Sequence, residues 1–429
     1  MSLRTRFLPL AALLLVLAVG NGRIRAEEKY NGDGKDILFQ GFHWDSHSGA
    51  LVASDGVKKT WYTIVKENAP AIKSAGFSWV WFPPPSDSLA PQGYLPRRWD
   101  LLKSEYGTED QLKGAIEAIK PVRAMADVVI NHRVGVATAG ADFEDPRFPD
   151  WRKAVTQDDE SRVGTGAPDS GDGYGSGRDL DHTNADVRAA VKDYLKRLQD
   201  VGFGGWRYDL VKGYAGKYVA EYNDATAPAF SVGEFFDTDR QKVTNWIDAT
   251  GGKSTAFDFP TRYLLYDAIR TDDYGRLSSV NGGRAVPGGL IGFWPAMAVT
   301  FVDNQDTEWR RDAEHQRQND STRHFADKTV AMAYAYVLTH PGVPCVFWPH
   351  YFDWGPYTRE RIDKLIKVRR DNGIQARSPV DIREAKPGLY AALVDQKVAV
   401  KLGSADWSPG DGWRLAVDGD KFAVWVKGK

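Results

Sequence analysis

Eight short apolar runs, at residues 37–42, 77–83, 125–132, 205–210, 230–235, 255–259, 298–304 and 343–348, recur along the chain with longer segments between them. Several of those longer segments, 109–119, 185–199 and 326–338 among them, carry apolar residues at three and four spacing, which predicts amphipathic helices. A strand followed by a crossover helix and another strand builds a parallel sheet, and eight such units close a barrel. The expected fold is therefore α/β, a (β/α)8 TIM barrel.

Two stretches break the rhythm. Residues 133–178 are rich in Gly, Asp, Ser and Pro and lack a long periodic helix. A structureless connection of that length is unusual inside a compact domain, so it reads either as a surface excursion or as an inserted subdomain at the carboxyl end of strand three. After a last barrel helix at 358–372, the alternating runs 389–394, 397–402 and 421–426 predict a small antiparallel β domain. The expected organisation is a barrel over 27–132 and 179–372, an inserted subdomain over 133–178 and a C-terminal β domain over 373–429. Residues 1–26 differ again, with Arg4 and Arg6 before an apolar run from Phe7 to Val19 and the small Ala26 after it. That pattern predicts a cleaved signal peptide and a secreted protein, extracellular or periplasmic; the run is shorter than a membrane span requires.

The net charge of -1 supplies no surplus of cations for phosphate, which argues against nucleic acid or an anionic membrane as partner and for an uncharged ligand. The single cysteine, Cys345, rules out an intrachain disulfide and sits in an apolar run, as an inert buried thiol does.

Chemistry gathers where the strands end. The runs DVVINH at 127–132, GWRYDL at 205–210, SVGEFFD at 231–237 and FVDNQD at 301–306 each put a carboxylate or a His-Asn pair just past an apolar stretch. In barrels that face carries the active site. Singly, each has a structural alternative: Asp209 as an ion pair with Arg207, Glu234 as a helix N-terminal charge, Asp306 as a loop cap. Their joint appearance is harder to attribute to folding alone.

These four segments, in this order, resemble the signature regions of the α-amylase family of glycoside hydrolases. The runs QGYLP at 92–96, DLDHTN at 179–184, VTNWIDATGG at 243–252, PAMAVTFVDN at 295–304 and AYAYVLTHPGVPC at 333–345 make the chain most similar to the plant type. The resemblance implies a retaining hydrolase of internal α-1,4 bonds in starch and malto-oligosaccharides; a monomer is only the default expectation. It implies Asp209 as nucleophile, Glu234 as acid and then base, and Asp306 as the carboxylate that steadies the distorted sugar. Cleavage through an oxocarbenium-like state needs one protonated and one ionised carboxyl, and Arg207, on the same strand face as Asp209, can keep the nucleophile ionised.

By the same resemblance His132 hydrogen-bonds the sugar, Tyr94 lies beneath it, and Lys212 and Gln305 join the substrate contacts. Phe293-Trp294 corresponds to a paired-tryptophan starch site, and Tyr390 to a sugar-binding tyrosine of the tail. For the aromatics and the histidine a place in the core is the alternative. The resemblance further implies one structural calcium, with side chains of Asn131, Asp169 and Asp179 and the carbonyls of Asp172 and Gly213 as ligands; Val163 and Gly173 stand where further calcium positions carry acids. One departure bears on activity. The fourth region of the family ends Asn-His-Asp, and here it reads Asn304-Gln305-Asp306. Glutamine donates and accepts but carries no positive charge, which predicts a slowed or pH-shifted enzyme. The competing readings are an exo-acting enzyme that forms short maltodextrins and a catalytically impaired starch-binding homologue.

Overall fold

Strands covered on both faces read as continuous apolar runs, and here such runs form a closed barrel of eight parallel strands. The computed structural model describes residues 30–48, 59–136, 142–308 and 324–428, so the expected signal segment lies outside the described residues. The strands are β1 (Leu38–Gln40), β2 (Trp79–Phe82), β3 (Arg123–Val128), β4 (Phe203–Tyr208), β5 (Phe230–Gly233), β6 (Thr255–Phe257), β7 (Ala298–Phe301) and β8 (Val343–Phe347). They pair in sequence order, and the barrel closes where Leu38 of β1 lies opposite Cys345 of β8. Cys345 is buried in that strand, and burial pushes its thiol up to about 12.

The crossovers are α1 (Trp61–Ala75), α2 (Glu109–Ile119), α3 (Ala185–Val201), α4 (Gly216–Thr226), α5 (Arg240–Ala249), α6 (Phe259–Thr271), α7 (Asp327–Thr339) and α8 (Pro356–Asp371). Their ends follow capping chemistry. Thr108 and Gln111 form a reciprocal capping box on α2, and Asn184 accepts from the Asp186 amide at the start of α3. Among the described residues no helix is long and apolar enough to cross a membrane.

Between β3 and α3 the described part of the insertion contains one helical turn, Trp151–Ala154, and a short antiparallel ribbon, His132–Arg133 against Arg178–Asp179. The Arg133 guanidinium is a polar hub of this segment, beside its buried Phe143 and Phe148. It is fully buried, donates to the carbonyls of Arg97, Glu144 and Pro146, and lies 4.7 Å over the Trp99 ring.

The tail forms a five-stranded antiparallel sheet: β9 (Val380–Lys386), β10 (Leu389–Val394), β11 (Val398–Leu402), β12 (Trp413–Gly419) and β13 (Phe422–Lys427), in the order β9-β10-β11-β13-β12. The three runs expected from sequence are its inner strands. Both edges, β9 and β12, escaped the alternation argument because bulges at Ile382/Glu384 and Leu415/Val417 interrupt the two-residue period.

Candidate active site

The carboxyl ends of β3, β4 and β5 converge on one guanidinium. Arg207 points into the barrel opposite Asp127 of β3, fully buried, with the Trp81 ring 4.9 Å from its centre. Its Nη1 donates to Asp127 Oδ1 and Asp209 Oδ1, both at 2.7 Å, and its Nη2 lies 2.8 Å from Glu234 Oε1. Asp209 leaves β4 with its amide on the Val128 carbonyl, and Glu234 leaves β5 with its amide on the Tyr208 carbonyl. Between them Leu210 adopts φ 43°, a left-handed conformation that costs a branched side chain of order 1–3 kcal/mol. The sharp turn aims the Leu210 amide at Glu234 Oε2, 3.2 Å away.

This crowding decides protonation. Burial above all, with the Asp209 charge and a hydrogen bond to Asp209, raises the Glu234 carboxyl to about 7 against the pull of Arg207 and the Leu210 amide. Burial raises Asp209 as well, while Arg207 favours its ionised form. Asp127 is pushed by burial to about 6, with Arg207 opposing. One cation among three carboxyls leaves a proton in the group near neutrality, held between Asp209 and Glu234.

Asp306 approaches from beyond β7, its amide donating to Asn304 Oδ1 and its Oδ2 accepting from Gln305 Nε2 at 2.6 Å. Together Asp209, Glu234 and Asp306 line a cleft of about 250 Å³ with Trp44, Tyr94, Tyr174, Leu210 and Phe236. Tyr94 is anchored by its hydroxyl on Asp127 Oδ2, 3.0 Å, and its ring runs parallel to Trp44.

The other expected substrate residues lie elsewhere. His132 is buried rather than open to the cleft. Its Nε2 donates to the Tyr94 carbonyl at 2.8 Å, leaving Nδ1 to accept from Asn131, and the Tyr174 ring covers it. Burial lowers it to about 4, so the ring is neutral and braces Tyr94. Lys212 holds Asp237 at 2.9 Å. Trp294 is half-buried against the core, and Arg240 covers one face of Phe293. Tyr390 corrects the sequence expectation: it is fully buried in β10, its hydroxyl 2.8 Å from His340 Nε2, and has no surface to offer a sugar.

Conversely, Asp127, Trp44, Tyr174 and Phe236 were not singled out. Asp127 opens the DVVINH run, but its importance comes from cross-strand register with Arg207. Tyr174 sits in a Gly-rich stretch without periodicity, where no linear signal marks it.

Beside the site, the loop of the insertion packs against the turn after β4. The Asp172 amide donates to the Lys212 carbonyl, and a Cβ at Gly213 would stand 1.9 Å from Asn131 Oδ1, so only glycine fits. Asn131 donates to Asp179 Oδ1. Burial, with the Asp169 and Asp159 charges, raises the Asp179 carboxyl to about 7, and the buried Asp169 Oδ2 has no hydrogen-bond partner. Among the described residues no three or more His, Cys, Asp or Glu side chains gather as a metal group. What does gather is a mixed set of oxygens with unmet charge and an orphaned carboxylate atom, the donor chemistry a calcium ion takes.

The chain is similar to known proteins along most of its length. Residues 371–426 match the family model for an alpha-amylase C-terminal beta-sheet domain. The chain is 39% identical over 419 residues to a probable alpha-amylase 2 of Arabidopsis thaliana, covering 92% of this chain and 95% of that one. It is 31% identical to a glucan 1,4-alpha-maltotetraohydrolase of Roseateles saccharophilus, over 94% of this chain and 74% of that one. Among solved structures, an Anoxybacillus alpha-amylase superposes with a TM-score of 0.68 at 15% identity, over 92% of this chain and 98% of that one.

Proposed function

The chain belongs to the α-amylase family of glycoside hydrolases acting on starch, and from that membership we propose that it cleaves internal α-1,4 bonds of starch and malto-oligosaccharides with retention at the anomeric carbon. The observation that carries the reading is the contact between Asp209 and Glu234 around Arg207. An inverting enzyme separates its two carboxyls by about 6.5–9.5 Å to admit a water; a retaining one keeps them close.

In the proposed reaction Glu234 gives its proton to the glycosidic oxygen as the bond to the anomeric carbon breaks, and the Asp209 carboxylate bonds to that carbon. The shortened glucan leaves. Water then attacks the same carbon while the Glu234 carboxylate takes its proton, the ester bond breaks, and both groups return to their first state. Tyr94 supports the sugar from below. Asp306 accepts from hydroxyls of the distorted ring, while Gln305 gives Asp306 a neutral donor in place of the family histidine. Asn131, Asp169 and Asp179 with the carbonyls of Asp172 and Gly213 would hold a calcium ion, which when bound neutralises their charge and ties the insertion to the strand that carries Asp209. The pattern of residues 1–26 supports export from the cytoplasm.

The similarity to the Roseateles enzyme favours one alternative, release of short maltodextrins from chain ends. Both are tested by time-resolved product analysis on soluble starch, with the anomer of the first product read by NMR. Mixed lengths released as the α-anomer are expected; early accumulation of one length would replace the endo reading, and a β-anomer would refute retention. Glu234→Gln should lower reducing-sugar release by about 10²–10⁴-fold, the usual contribution of a general acid.

A further inference from the structure

The inference concerns Gln40, and it rests on the reading that Asp306 acts as a carboxylate on the sugar. An ionised carboxylate only accepts hydrogen bonds, so Gln305 serves it only with its amide nitrogen turned toward it. Nε2 does lie there, 2.6 Å from Asp306 Oδ2. The terminal torsion of a glutamine is broad and roughly two-fold, so the side chain does not by itself choose which end faces the carboxylate. A second contact makes the choice. Gln40, the last residue of β1, directs Nε2 at Gln305 Oε1 across 2.7 Å.

Both glutamines are about 1% exposed, so neither readily exchanges its partner for water, and an orphaned amide there is costly. The backbone of Gln40 is fixed by strand pairing, opposite Trp81 on one side and Phe347 on the other. In the structure the chain of bonds runs with one polarity: Gln40 donates to Gln305, and Gln305 donates to Asp306. Asp306 shares its surroundings with the Asp209 carboxyl and the Tyr94 and Tyr174 hydroxyls. A Gln305 turned the other way would add a carbonyl oxygen to that negative ground.

We propose that Gln40 is a positioning residue for catalysis: by donating to Gln305 Oε1 it holds the Gln305 amide with its N–H groups toward Asp306. Gln40 touches no substrate and acts through the residue in front of it. The role goes with the departure from the family pattern, because a neutral amide serves Asp306 as a donor only while something fixes its orientation.

Three variants test this on the full chain, with kcat and KM measured on a malto-oligosaccharide. Gln40→Met keeps the length and removes the donor. It should lower kcat about tenfold, one hydrogen bond expressed in turnover, and leave KM within about twofold. In a Gln305→Met background the same change should cost nothing further. Gln40→Glu keeps the shape but cannot donate while ionised, so its kcat should recover toward the unsubstituted value as the pH falls and the new carboxyl takes up a proton. An unchanged kcat in Gln40→Met, an equal loss in the Gln305→Met background, or a Gln40→Glu profile parallel to that of the unsubstituted enzyme would each overturn the proposal. If Gln40→Met does not fold, the pH response of Gln40→Glu decides. No sugar release by the unsubstituted chain would instead refute the functional reading on which this one rests.

Discussion

At Arg207 one guanidinium faces Asp127, Asp209 and Glu234, so a single positive charge meets three carboxyls that burial already raises. In the proposed reaction the protonated form of Glu234 donates to the leaving oxygen. Its carboxyl is raised to about 7, so kcat/KM should fall as pH rises through that value. A profile flat from about pH 6 to about pH 9 would show that another step or group controls the rate. Gln305 sharpens the point. Gln305→His should raise turnover on soluble starch severalfold, because an imidazole can accept from Gln40, donate to Asp306 and come close to carrying charge; equal or lower turnover would count against that account. The ends of apolar runs were enough to single out the three cleft carboxyls. They did not reveal Asp127 or Gln40, whose partners lie on other strands at a register no linear pattern encodes.

At the scale of elements, continuous apolar runs located the eight barrel strands, which are buried on both faces, and three-and-four spacing located several of the crossover helices. The insertion offered composition alone. Its order comes from a buried Arg133 among carbonyls and aromatic rings, and from loop atoms pressed against the turn after β4. Calcium binding by the proposed oxygen set would be linked to that packing. A calcium concentration a hundred times its Kd would stabilise the fold by about 2.7 kcal/mol, and a chelator should lower the melting temperature and expose the insertion to protease. Asp169→Asn should blunt the response to calcium in the same thermal scan. Equal melting with calcium and with chelator would remove the metal from the account.

For the molecule as a whole, the tail sheet and the barrel share a polar anchor. His340, just after α7, stacks on Tyr336 and meets the hydroxyl of Tyr390 in β10. Strand β10 is buried at every position, so alternation could not tell whether Tyr390 faced solvent or core. Tyr390→Phe leaves His340 Nε2 without that partner and should cost about 1–3 kcal/mol in urea unfolding while leaving starch affinity unchanged. Weakened starch binding with stability intact would restore the surface role that its burial argues against.

The pairing of β1 with β8 also sets a schedule. Residue 40 finds its neighbour on that side only when residue 347 has been made. Ribosomes add about 5–20 residues per second, so the first strand waits on the order of 15–60 s with one edge open. During that interval β1 presents unpaired backbone to any passing strand, and chains halted before β8 would be drawn toward aggregation. Handling of the nascent chain should therefore matter to its yield as much as the stability of the finished barrel.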